Sequence, residues 1–124
     1  MPTRTAALLA WLGARLGMPA YAAQAVPTDA EMPYLTLTPV AGAWGDGEQA
    51  VTVDLWRRTE SEAAANADAE ALGRALGLGG VMLPCDGGGI WVKRGSPFWQ
   101  AADPGEPGVK RRYVNLSIEN ITAF

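Results

Sequence analysis

An α+β domain of two layers, a mainly antiparallel sheet of about five strands with two helices packed on one face, is the fold this sequence predicts. Three observations lead there. The chain has 124 residues, too few for two domains, yet it is 48% hydrophobic, enough for one core. Two segments, residues 5–16 and 60–76, repeat their apolar side chains at helical spacing. The other apolar segments alternate with period two and gather before or after the second helix, the grouping expected of strands that pair antiparallel.

In the first helical segment Leu8, Leu9, Leu12 and Leu16 form one stripe, Thr3 or Thr5 can cap the start, and Gly17 followed by Pro19 ends it. Arg4, the apolar run beyond it and a later Ala23-Gln24-Ala25 also have the outline of a secretory leader, but Arg15 interrupts the run and a helix is the better reading. Residues 18–26 are small and read as a connection or a short strand, and Thr28-Asp29-Ala30-Glu31-Met32-Pro33 as a polar turn.

Leu35 and Leu37 alternate with Thr36 and Thr38 in a first clear strand, ended by Pro39. After the glycine-rich loop 41–47, Val51, Val53 and Leu55 alternate with Thr52, Asp54 and Trp56 in a second, with Trp56 on its less apolar side. Thr59-Glu60-Ser61-Glu62 matches a capping box and opens the second helix. That helix carries Ala65, Ala69, Leu72 and Leu76 on its apolar side, a Glu70/Arg74 pair four residues apart, and Gly77 as a left-handed cap. Residues 81–83 and 90–93 read as a hairpin about an Asp-Gly turn. Residues 95–108 contain three prolines and no period, which predicts a long functional loop. Residues 109–121 close the chain with its longest alternating run.

Composition bears on function before any motif does. Ten basic and thirteen acidic side chains leave a net charge of −3, which removes the general attraction to phosphate that non-specific nucleic-acid binders use. No histidine is present, so the commonest general base and the Ser-His and Cys-His pairs are absent. Cys85 is the one cysteine, without a neighbouring cation in sequence to lower its pKa. No stretch approaches the roughly 20 apolar residues of a membrane span. The glycines at 77, 79 and 80 and at 87–89 fit neither a dinucleotide fingerprint nor a P-loop and are turns. Among Asp46, Glu48, Asp54, Asp86 and Glu119 no spacing makes a carboxylate pair for acid and base work. The expectation is therefore no catalytic residue, no cofactor, no metal and no enzyme activity.

Aromatic and charged residues are the candidates instead. Trp44, Phe98 and Trp99 sit in segments bounded by glycine and proline, where they are candidate interface residues; each folded back over its own core is the alternative. Arg57, Arg58, Lys93, Arg94, Lys110, Arg111 and Arg112 fall near strand ends, while Glu60, Glu62, Asp68 and Glu70 fall on the second helix. A basic patch and an acidic patch on one molecule can stack copies head to tail into a ring. Asp46, Arg57, Arg58, Glu60, Glu62, Arg111 and Arg112 complete the interface candidates.

The ordered run Pro33-Tyr34-Leu35-Thr36-Leu37, Trp44-Gly45-Asp46-Gly47-Glu48 and Val53-Asp54-Leu55-Trp56-Arg57-Arg58-Thr59, with Arg94-Gly95-Ser96-Pro97-Phe98-Trp99 and Arg111-Arg112-Tyr113-Val114-Asn115-Leu116, resembles the small tail terminator, or tail-completion, proteins of long-tailed bacteriophages and prophages. The resemblance implies a hexameric ring on the head-proximal end of the tail tube, at the tail-neck junction of the virion, assembled in the host cytoplasm. The implied partners are other copies of the chain, the major tail tube protein and a neck or head-completion protein. Genomic DNA would pass through the bore without specific binding, and no membrane is involved. Head-tail adaptors share the size, a monomeric binding module closing aromatic loops over a small ligand is a further alternative, and a Cys85 hydrolase or transferase is the enzymatic one.

Overall fold

A computed structural model describes residues 2–38 and 47–122. Trp44 and Asp46, and with them most of the glycine-rich loop, lie outside the described residues. The chain runs α1 (Arg4–Leu16), β1 (Ala20–Ala22), β2 (Tyr34–Leu37), β3 (Glu48–Arg58), α2 (Glu62–Leu76), β4 (Val81–Cys85), β5 (Gly88–Ala102) and β6 (Val109–Thr122).

The helix ends follow local chemistry. Thr3 caps α1 by accepting from the Ala6 N–H, and Gly17 closes it in the left-handed region with φ 64° and ψ 36°. At α2 the cap is Ser61, whose Oγ accepts from the Ala64 N–H at 3.1 Å. Thr59 Oγ1 accepts from the Ser61 N–H at 3.0 Å and so shapes the approach turn. The capping box expected from Thr59 is thereby shifted by two residues, because a hydroxyl two positions ahead of the cap satisfies a turn donor more easily than one inside the helix. Gly77 has φ 66° but ψ −174°, so it ends α2 in an extended glycine conformation instead of the left-handed one expected.

One sheet of six strands forms, in the order β1-β2-β3-β6-β5-β4. All neighbours are antiparallel except β1 and β2. The expected count of about five becomes six because Ala20–Ala22 joins the edge of β2 in parallel, held by Leu35 N–H to Pro19 O and Ala23 N–H to Leu37 O. Three residues, Ala20-Tyr21-Ala22, are too few to show a readable period, so only the pairing reveals the strand.

The larger correction concerns residues 95–108. The expected loop is strand as far as Ala102: β5 pairs with β6 up to Arg94, skips Gly95–Phe98 in a bulge, and resumes with Trp99 opposite Val114. Pro97 has no N–H for the ladder, and a Cβ on Gly95 would sit 2.9 Å from the Asn115 carbonyl oxygen. Asn115 Nδ2 donates to the Pro97 carbonyl at 2.9 Å and holds the bulge. These interruptions hide a strand from a periodicity argument.

The core takes one alternation of every strand. Leu35 and Leu37 of β2, Val51, Val53 and Leu55 of β3, Ile90 and Val92 of β5, and Val114, Leu116 and Ile118 of β6 are buried with Leu8 and Leu12 of α1 and Ala69, Leu72 and Leu76 of α2. α2 packs on β3, β5 and β6, and α1 on α2, β1 and β4. The alanines on the inward side of α2 let it approach the strands closely, as its spacing predicts. No helix among the described residues is long and apolar enough to cross a membrane.

Candidate interface: the outward sheet positions and the two ends of helix α2

The outward alternation of the sheet is built from aromatic rings and ion pairs. Trp56 on β3 lies in register with Tyr34 on β2 and Arg111 on β6. Its indole N–H donates to Thr36 Oγ1 at 3.1 Å, and the Arg111 guanidinium lies 5.0 Å from its ring centre. Arg111 Nε also donates to Asp54 Oδ1 at 2.8 Å. Tyr21 meets Tyr34 edge to face with ring centres 5.7 Å apart. Further along, Lys93 lies 4.2 Å from the Trp91 ring centre and pairs with Glu48, while Trp91 donates to the Gly79 carbonyl at 2.8 Å.

Inward, at the start of α2, charges converge on one buried cation. Arg112 is 3% exposed; its Nε donates to Asn66 Oδ1 at 2.9 Å, its Nη1 to the Arg111 carbonyl at 3.1 Å and its Nη2 to Glu62. Lys110 Nζ reaches the other Glu62 oxygen at 3.4 Å. Arg57 grips Asp68 through two parallel bonds of 2.7 and 3.0 Å. The Arg112 guanidinium, acting first, and Lys110 hold the Glu62 carboxyl below its ordinary range. The carboxylate of Asp68 correspondingly raises the Arg57 pKa.

The interface candidates thus divide. Arg57, Arg111, Arg112 and Glu62 are engaged with partners inside the chain, and Arg58 holds Glu106 at 3.3 Å on the surface. Glu60 is exposed at the approach to α2 and makes no ion pair among the described residues. Phe98 and Trp99 are half-buried on β5 and pack against the core of their own chain, Phe98 over Gly73 of α2 and Trp99 with the Arg112 guanidinium 6.0 Å from its ring centre. The strands that carry them follow from the bulge, which returns β5 to the ladder at Trp99.

The site offers little acid or base chemistry. The register sets Glu48 opposite Glu119, which sequence spacing did not reveal, but the Lys93 hydrogen bond holds Glu48 below its ordinary pKa, whereas a general acid needs a raised one. Cys85 is 1% exposed and burial pushes its thiol up, away from the thiolate a nucleophile requires. Among the described residues no group of three or more His, Cys, Asp or Glu side chains is arranged to hold a metal ion.

Among the described residues two large apolar side chains remain in solvent, Leu78 at 95% and Met82 at 54% exposure. Met82, Pro84, Gly89 and Ile121 line a shallow recess of about 280 Å³ at the β4 edge. Both residues were missed by periodicity; a leucine between Gly77 and Gly79, with no apolar neighbour to join, is the signal that was there. The chain matches no family model, no curated protein and no solved structure.

Proposed function

We propose that this chain is a virion structural protein of the tail-terminator kind, capping the head-proximal end of a phage tail tube as a ring and joining it to the neck. The observation that carries the reading is the row of aromatic side chains on the outward positions of the sheet. The outward alternation carries Trp56, Tyr34, Tyr21 and Trp91, each partly exposed, with Met82 at its edge. Aromatic and methionine side chains in such positions are the groups that interfaces favour. Among the described residues the cations Arg111, Lys93 and Arg58 are paired with Asp54, Glu48 and Glu106, so DNA sliding past them would find little free positive charge to hold its phosphates. The sequence resemblance supplies the assembly.

The test is native mass spectrometry of the full chain alone and with a tail tube protein, joined to electron microscopy of tube growth. The expected result is a species near six times 13.0 kDa, or one formed on meeting the tube, together with arrested elongation. A chain that binds the neck but leaves tube growth unchanged is a head-tail adaptor. A chain that stays single under every condition and encloses a small ligand sinks the reading.

A further inference from the structure

Of the ten cationic side chains, eight have a partner within the chain. The two left over, Arg74 and Arg94, are exposed and make no ion pair, hydrogen bond or ring contact among the described residues. They line the same recess, about 260 Å³ between the last turns of α2 and the bulge of β5. Phe98 forms part of its wall and Leu78, the most exposed large apolar side chain among the described residues, stands at its rim. Glu70 also lines it, so one positive charge is in surplus, and the Glu70/Arg74 pair expected along the helix is not closed. Two exposed guanidinium groups beside unpartnered apolar surface suit an acidic segment that carries an apolar side chain.

Such a segment lies elsewhere on the same molecule. Asp29 and Glu31, between β1 and β2, are exposed and make no ion pair among the described residues, and Met32 follows them. Arg58 lines the same surface as Glu31, but its guanidinium is held by Glu106. The segment enters β2, whereas the recess belongs to β5, and β3 and β6 lie between them in the sheet. That spacing, about 14 Å across the strands, keeps the two apart within one chain.

We propose that the Arg74/Arg94 recess of one copy receives the Asp29-Ala30-Glu31-Met32 segment of a second copy. The contact is heterologous, joining different surfaces of the two copies, and repeats of it close into a ring when the rotation per subunit divides the circle. This deepens the ring reading above and rests on it. Asp29 and Glu31 meet the two guanidinium groups, and the Met32 thioether meets Leu78 and Phe98.

The experiment uses two charge-reversed full chains, Arg74→Glu with Arg94→Glu, and Asp29→Arg with Glu31→Arg. Native mass is measured with each chain alone and with tail tube protein. All four positions are exposed and outside the ion-pair network, so both variants should keep the wild-type thermal unfolding profile. Each is expected to lose self-association by about a hundredfold. Mixed in equal amounts they should recover it, as rings in which the two variants alternate. Reversed chains that assemble like wild type overturn this contact and leave the ring reading standing, as does a mixture that recovers nothing. A wild-type chain that stays single in both conditions overturns the ring reading and the contact together.

Discussion

The two ends of α2 carry similar side chains and use them differently. At the N-terminal end Glu62 and Asp68 are joined to Arg112, Lys110 and Arg57 from the strands beneath, and the apolar parts are covered. At the C-terminal end Arg74 faces solvent, Arg94 stands across the recess with no ion pair to Glu70, and Leu78 is bare. The difference is a matter of what lies opposite. β6 brings Lys110 and Arg112 under the first turn, whereas the bulge of β5 brings Phe98 and Arg94 to the last. A paired, buried charge holds helix to sheet; an unpaired, exposed one is available to another molecule.

Breaking the first end should cost most. Arg112→Met removes the guanidinium that ties β6 to Asn66 and Glu62, and the loss is about 2–3 kcal/mol of stability, read from urea unfolding. Since Glu62 is two-thirds exposed, its pairing contributes less than the buried hydrogen bond to Asn66 does. Next comes Phe98→Ala, which strips a half-buried ring from Gly73 and costs about 2 kcal/mol. Loss of assembly in that variant must therefore be compared at matched folded fraction.

Acid sharpens the same contrast. The Glu62 carboxyl is depressed in the folded chain, so its contribution is fully present above the ordinary carboxylate range and fades as pH falls below about 5 and through the folded value. Glu62→Gln should flatten the acid limb of a stability profile, while Arg74→Ala leaves it unchanged. The smallest effect belongs to the second end: Arg74→Ala or Leu78→Ser should alter unfolding by less than about 0.5 kcal/mol yet weaken the proposed self-association, measured by sedimentation. Raising salt should weaken that association too, because exposed pairs are screened.

Both helices, the hairpin about Asp86-Gly87 and the long closing strand are legible in the residues, because a helix stripe, a cap or an alternating run is a local pattern. The inward sides of α2 and β3 are legible for the same reason. Residues 95–108 mislead for a physical reason: glycine and proline break a period without breaking the ladder, since a bulge lets β5 leave β6 and return. Arg57, Arg111 and Arg112 read as a free basic patch when their partners, Asp68, Asp54 and Glu62, stand 11, 57 and 50 residues away.

By itself, then, the sequence determined the α+β class, the ends of α1, the leucine and alanine stripes and the alternation that makes strands of β3 and β6. Each of these depends on side chains within a few residues of one another. Only the tertiary structure decided which charges are satisfied, that Phe98 and Trp99 pack against the core of their own chain, and that Arg74 and Arg94 are left over beside Leu78. Those outcomes are set by register between distant strands, and a pairing over 50 residues leaves no mark on the local pattern of either partner.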